Sequence, residues 1–256
     1  MEQGFVTVDT DSRGLATITF GHPPHNALPA GLLAQLAEAI QQTANNSTTR
    51  LILLQSDGPG TFCAGADFKG LLAITDEASG TEFFSGFANV INAMRKAPRL
   101  IIGRVQGKAV GGGVGLIAAC DYVFATESAA VRLSEVSINI GPFVIAPAVE
   151  RKVGISALTE LTLNPNVFFD VQWAKRHDLF HTVKDDAVQL DEAITAFCDR
   201  LVTKNPEALS ELKRTLWHGT EHWDELLYKQ AATSGRLACS PETKALLHSL
   251  TSKPKN

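Results

Sequence analysis

The sequence predicts an α/β fold, a spiral of β-β-α repeats followed by a helical C-terminal region, and three observations carry that reading. Strand-length alternating or apolar runs recur along the first two-thirds of the chain, with amphipathic helical stretches between them. Two glycine-rich segments, Phe62-Cys63-Ala64-Gly65-Ala66-Asp67 and Gly107-Lys108-Ala109-Val110-Gly111-Gly112-Gly113-Val114-Gly115, punctuate those runs. Past Glu150 the strand signals give way to helical ones.

Taken in order, Phe5 to Val8 and Leu15 to Phe20 alternate around the turn Asp9 to Gly14, which is a hairpin signal. After Pro29, the spacing of Leu32, Leu33, Leu36 and Ile40 predicts a helix. Arg50 to Gln55 reads as a buried strand ended by Asp57-Gly58-Pro59-Gly60. Phe83, Phe87, Val90 and Met94 mark an amphipathic helix stopped by Pro98, and Leu100 to Val105 is the next strand. Tyr122 to Thr126 and Val131 to Leu133 continue the pattern. Helices are then expected over Ile155 to Leu163, Val171 to Arg176, Leu190 to Thr203, Pro206 to His218 and Trp223 to Arg236. Asn205-Pro206 has the form of an N-cap with proline at the first helical position. The expected division is a core over 1–190 that holds the site and a helical region over 191–256.

Apolar stretches flank the second glycine segment, Leu100 to Val105 before it and Leu116 to Cys120 after it, so its glycines are expected at a strand-to-helix junction. First-turn amides there have no partner within the helix and lie at the positive end of its dipole. Two such segments read as halves of an oxyanion hole, the device that stabilises charge on a carbonyl oxygen in enolate or tetrahedral chemistry. Each segment also has a plainer reading. Gly-Gly-Gly lets a helix pack closely on a sheet, and Asp67 can end an ordinary turn as a helix cap.

Composition is compatible with an enzyme and argues against several other classes. A chain of 256 residues with 45% hydrophobic and 20% charged residues can bury a sizeable core. A net charge of −4 without clustered Lys and Arg argues against a nucleic-acid binder. No apolar run approaches membrane-spanning length, and Met1-Glu2-Gln3-Gly4 opens without a basic or apolar leader, so a cytoplasmic enzyme is expected. Cys63, Cys120, Cys198 and Cys239 are widely spaced and expected to be free thiols, Cys63 as a packing residue rather than a nucleophile. The seven histidines show no metal spacing, and no metal is expected. The glycine run fits neither a dinucleotide-binding nor a P-loop spacing, and Ser156 lacks the second glycine of a nucleophile elbow.

The order Asn26-Ala27-Leu28, Cys63-Ala64-Gly65-Ala66-Asp67, Gly111-Gly112-Gly113, Asp121-Tyr122-Val123-Phe124-Ala125 resembles the crotonase (enoyl-CoA hydratase/isomerase) superfamily from about Phe5 to Leu250. The resemblance implies a crotonase-like fold and an acyl-CoA substrate, with coenzyme A carried on the substrate and no separate cofactor. It implies that the amides of Ala66 and Gly112 hold the thioester oxygen. It also places Asn26, Ala27, Ala64, Gly65, Asp67, Phe68, Gly111, Gly115 and Phe143 around the substrate. The C-terminal helices are implied to make trimer contacts, as a homotrimer or hexamer, and to help cover the CoA site. The aperiodic stretch Leu71 to Gly80 is expected to be a mobile flap over the acyl pocket. The tail Lys253-Pro254-Lys255 is read as a solvated terminus rather than a CoA-phosphate contact.

The chain departs from that pattern in its acids. Hydratases of the family carry two glutamates; here Glu135 matches one, while Gly115 stands at the position of the other. A carboxylate at 115 would lie one helical turn beyond Gly112, on the same face, so Gly115→Glu is expected to restore the second group. Ile138-Asn139-Ile140-Gly141-Pro142-Phe143 also resembles the stretch after the lone glutamate of some enoyl-CoA isomerases. One base suffices to move a proton between two carbons, whereas water addition needs a positioned water as well. The expectation leans to double-bond isomerisation through Glu135. Hydration or dehydration of a short or branched acyl-CoA is the alternative, with Glu150, Asp67, Asp76 or Glu77 open as replacements for the missing acid. A non-catalytic acyl-CoA-binding protein is the alternative of another class.

Overall fold

The computed structural model describes residues 4–251. The hairpin forms as expected from β1 (Phe5–Thr10) and β2 (Leu15–Gly21), antiparallel with Val6 opposite Phe20 and Val8 opposite Ile18. Helix α1 (Ala30–Asn45) buries Leu32, Leu33, Leu36 and Ile40 and returns the chain to β3 (Leu51–Ser56), which runs parallel to β2. α2 (Phe68–Leu72) and the long α3 (Glu77–Lys96) lead to β4 (Ile101–Val105). Then follow β5 (Ala109–Val110), α4 (Gly112–Ala119), β6 (Tyr122–Thr126) and β7 (Ala130–Arg132). A 3-10 turn over Glu135–Ile138 precedes α5 (Ala146–Leu163), which kinks where Gly154 leaves helical geometry (φ 76°, ψ 162°).

Two short strands beyond Glu150 escaped the sequence reading. β8 (Phe169–Asp170), just before α6 (Val171–Arg176), pairs antiparallel with β7; β9 (Thr182–Lys184) joins β6 in parallel. Each has only two or three residues, too few to show a period of their own. The main sheet has the order β1-β2-β3-β4-β6-β9 and the small one β5-β7-β8.

The central strand β3 is buried on both faces, which is why it opens on an unbroken apolar run. Ile52 and Leu54 of β3 face the main core; Leu51 and Leu53 face a second cluster with Leu190, Ile194 and Cys198 of α7 (Ala187–Val202). The division expected at residue 190 therefore falls inside a helix that packs on the main sheet. α8 (Pro206–Leu216) starts at the expected cap, the Asn205 Oδ1 accepting the Glu207 amide at 2.9 Å, and α9 (Trp223–Ala238) and α10 (Pro241–Thr251) complete the chain. α9 crosses α3 at Gly80 and Gly235, where a Cβ on Gly80 would stand 2.7 Å from the Gly235 Cα.

The expected flap is instead built into helices. Leu71 and Leu72 end α2, and Asp76 caps α3 in a reciprocal box with Ser79, its Oδ1 accepting the Ser79 amide at 2.8 Å. Capping, rather than hydrophobic period, orders this stretch. The segment Lys253-Pro254-Lys255 lies outside the described residues. Among those described, no helix is long and apolar enough to cross a membrane and no cluster of His, Cys, Asp and Glu is arranged to hold a metal.

Candidate active site

The two glycine segments meet because the chain ties them to each other. Val110 donates its amide to Cys63 O at 2.9 Å and Phe62 its own to Lys108 O at 2.9 Å, so β5 lies alongside Cys63. On its other side, the Asn26-Ala27-Leu28 stretch bridges the first segment: Leu28 donates to Gly65 O at 2.8 Å and Asp67 to Leu28 O at 3.1 Å. Because the bridge uses the groups on either side of Ala66, the Ala66 amide points away from Leu28. Gly65 sits at φ +87°, and a Cβ there would stand 2.8 Å from Val110 O, a conformation and a space that only glycine accepts freely.

In the second segment Gly111 takes φ +52°, ψ −121°, and its amide donates to Arg132 O at 2.9 Å. The turn releases the next amide, that of Gly112, at the first position of α4. Neither the Ala66 nor the Gly112 amide donates to a backbone acceptor among the described residues. Both residues line one cavity of about 260 Å³. A Cβ on Gly65 would stand 3.5 Å from the Gly112 nitrogen, so the two turns are in direct contact. Two free amides on one cavity wall can stabilise negative charge on an oxygen placed between them.

Glu135 enters the same cavity from the 3-10 turn after β7. That turn is closed by Ser137 donating to Ser134 O and Ile140 to Glu135 O, with Asn139 left-handed at φ 60°. The carboxylate lies against Gly111, and a Cβ there would meet Glu135 Oε1 at 2.9 Å. The residue as a whole is partly exposed, but Oε2 is sealed from solvent and accepts no hydrogen bond. Burial therefore pushes its pKa up to about 7, with backbone hydrogen bonds and the Arg132 charge pulling against the rise. A carboxyl poised near neutrality can both take and return a proton.

The other expected site residues divide into two groups. Ala64, Gly65, Phe68, Gly111 and Phe143 line the cavity. Asn26, Ala27, Asp67 and Gly115 do not, and for three of them the structure gives another role. Asn26 clamps the loops behind the first segment, accepting from the His22 amide and donating to Asp57 O and Thr61 O at 2.9 Å each. Asp67 caps α2, its Oδ2 accepting the Gly70 amide at 2.8 Å. Gly115 is buried behind Ile145, a cavity-lining residue the sequence reading missed; a Cβ on Gly115 would meet Ile145 Cγ2 at 2.5 Å and Cβ at 2.7 Å.

That contact overturns the expectation that a glutamate at 115 would simply reach the site. Ile145 Cβ is fixed to its own backbone and cannot swing aside. Gly115→Glu alone is expected to destabilise the fold by roughly 1–3 kcal/mol, the usual cost of overpacking, read as a lowered denaturant midpoint. A midpoint matching the wild type would show that the helix and Ile145 part without cost.

The open replacements for the missing acid are likewise placed elsewhere. Glu150 is exposed on α5, Asp67 and Asp76 are helix caps, and Glu77 belongs to the first turn of α3; none lines the cavity. Glu135 is thus the one carboxylate among the cavity's described residues. The remaining wall is largely apolar, with Leu71, Phe84, Phe87 and Ile140 among it, and Ser234 of α9 closes one side. Phe87, on the amphipathic helix the period predicts, fills the space a side chain on Gly112 would need. Cys63 lies just behind the site, and burial pushes its thiol up to about 12, so it is a packing residue.

The family model for enoyl-CoA hydratase/isomerase matches residues 10–244. The chain belongs to the enoyl-CoA hydratase/isomerase family, within the crotonase superfamily. It is 30% identical over 219 residues to the mitochondrial methylglutaconyl-CoA hydratase of Mus musculus, covering 84% of this chain and 69% of that protein. Its fold is similar to that of an enoyl-CoA hydratase from Bacillus halodurans, with TM-score 0.88 at 21% identity over 95% of this chain and 99% of that one. An enoyl-CoA hydratase from Mycobacterium smegmatis matches with TM-score 0.79 at 30% identity, covering 90% and 88% of the two chains. The chain is a crotonase-type family member, with the family's α/β fold and its C-terminal helices.

Proposed function

We propose that this crotonase-type enzyme moves the double bond of a short enoyl-CoA with Glu135 as its single base. The observation that carries the reading is the cavity wall, where one carboxylate stands and Ile145 occupies the ground beside Gly115. The amides of Ala66 and Gly112 receive the thioester oxygen. Glu135 removes a proton from the carbon between the thioester carbonyl and the double bond of a 3-enoyl group, leaving a dienolate whose oxygen charge the two amides hold. The same carboxyl returns that proton to the far end of the conjugated system, giving the 2-enoyl thioester. No atom is gained or lost, and coenzyme A stays on the substrate throughout. The oligomer that the family resemblance implies belongs to this reading: Ile155 and Leu163 of α5 are 64% and 69% exposed, apolar surface that subunit contacts would cover.

A screen of 2-enoyl- and 3-enoyl-CoA substrates, with solvent deuterium followed at the α-carbon, tests it. Exchange and double-bond movement outpacing hydration are expected; rapid hydration without movement would reject the one-base reading. The hydratase reading, of a short or branched acyl-CoA, is favoured by the relative that is itself named a hydratase. Its discriminating variant is Gly115→Glu combined with Ile145→Gly, which clears the space and should raise the ratio of hydrated to shifted product if the second acid is what the wild type lacks.

The pH dependence follows from the raised Glu135 pKa. Only the carboxylate form abstracts a proton, so kcat/KM should rise about tenfold per pH unit below pKa and level off above about 7. A profile flat from pH 5 to 8 would reject Glu135 as the base.

A further inference from the structure

Arg132 is the second charged residue of the cavity and, among the described residues, the only cation on its wall. It ends β7, three residues before Glu135, and the two charges do not pair: no ion pair or side-chain hydrogen bond joins Arg132 to any described residue. Its Nε is sealed from solvent with no acceptor, as is the Oε2 of Glu135. What holds the guanidinium is the Phe168 ring, with Cζ 4.5 Å from the ring centroid; Lys108 Nζ lies 4.8 Å from the same centroid. Neither cation has a carboxylate partner among the described ion pairs; Arg132 acts on Glu135 only through space, and Lys108 is exposed and outside the cavity wall, so the Arg132 guanidinium faces the cavity without a hydrogen-bonded anion.

A buried donor without an acceptor is costly to keep, and the planar fork of a guanidinium is built to take a carboxylate on two parallel N–H groups. The Phe168 ring takes none of the guanidinium's N–H donors into a hydrogen bond with a carboxylate or carbonyl. We infer that Arg132 binds a carboxylate carried on the acyl group itself, so that the substrate class is a short acyl-CoA with an acidic far end. The inference rests on the proposed acyl-CoA reading, which sets the thioester at the Ala66 and Gly112 amides. From there the acyl chain, not the coenzyme, shares the cavity with Arg132. The phosphates of coenzyme A are the other source of such an anion, but the long pantetheine arm separates them from the thioester, whereas Arg132 lines the same 260 Å³ as Glu135.

The test compares saturated, unreactive thioesters of equal length, glutaryl-CoA and valeryl-CoA, by calorimetric titration, with free coenzyme A as the third ligand. Wild-type protein is expected to prefer glutaryl-CoA, and Arg132→Met to lower that preference by about 10- to 100-fold, the worth of a charged hydrogen bond. Arg132→Lys, which keeps charge but loses the fork, should fall between them. Equal wild-type affinity for the two thioesters overturns the inference without any variant. So does a loss in Arg132→Met that falls equally on free coenzyme A, which would assign the residue to the phosphates. In turnover, the same variant should raise KM for glutaconyl-CoA far more than for 2-pentenoyl-CoA, and a change confined to the pH profile would make Arg132 only a neighbour that tunes Glu135. If glutaryl-CoA binds selectively but no enoyl-CoA is turned over, the catalytic reading fails and the carboxylate site stands; turnover without selectivity is the reverse.

Discussion

Glu135→Gln is expected to lower turnover by about a hundredfold or more while acyl-CoA binding persists. The amide has nearly the shape of the acid and keeps its place against Gly111, where Oε1 makes the closest approach, so the cavity walls and the two free amides are unchanged. What disappears is the group that takes and returns the proton. The same substitution should act on stability in the opposite sense. Burial raises the folded-state pKa from 4.5 to about 7, so the folded protein favours the neutral acid. The contribution is fully present below pH 4.5 and is lost as pH rises through about 7, where the wild type must hold a charge with an unpartnered buried oxygen. Glutamine never ionises. The variant should therefore be more stable than wild type at pH 8, by up to roughly 3 kcal/mol, and indistinguishable near pH 4. Denaturant unfolding at the two pH values checks this, and parallel curves for both proteins would contradict the burial of the carboxylate; near-normal turnover would reject Glu135 as the base.

Much of this arrangement was legible in the sequence because it is written in the backbone. A left-handed Gly65 and an amide-releasing turn at Gly111 need glycine, and the apolar runs on either side of the second segment place α4 at the end of a short strand. The main sheet was legible because β3 is buried on both faces and opens on a continuous apolar run, while β2 alternates and β4 begins with two buried isoleucines. The parts that were not legible depend on contacts between distant segments. Nothing in the local pattern sets Ile145 against Gly115, thirty positions earlier, and that contact decides whether a carboxylate fits there. Arg132 sits in a three-residue strand that the sequence marks only as a strand; its unpartnered Nε beside the cavity is what singles it out. Asn26 and Asp67 matched the family's motif, yet their side chains serve the loops that hold Ala66 in place. A motif thus records positioning residues and contact residues alike, and coordinates separate them.

Ala66→Pro is expected to cut kcat by about a hundred- to a thousandfold, the usual loss when one donor of an oxyanion hole is removed. Ala66 is a better place for this test than Gly112. Any side chain on Gly112 falls into the Phe87 ring, so a substitution there confuses a lost amide with a packing lesion. Ala66 already carries a Cβ, and the bridge to Leu28 uses Gly65 O and the Asp67 amide, leaving the Ala66 N–H without a structural duty. Proline removes that N–H and no ladder bond. It also restricts the preceding residue, but that residue is Gly65, whose missing Cβ relieves much of the clash. Ala66→Ser serves as the control, since it keeps the amide and changes only the side chain; its turnover should stay close to wild type. Thermal melts and thioester titrations establish that both variants are folded and binding-competent. A folded Ala66→Pro protein with full turnover would show that the thioester oxygen is not held by this amide. Because the two amides and Glu135 stabilise one dienolate, combining Ala66→Pro with Glu135→Gln should cost much less than the product of the separate losses.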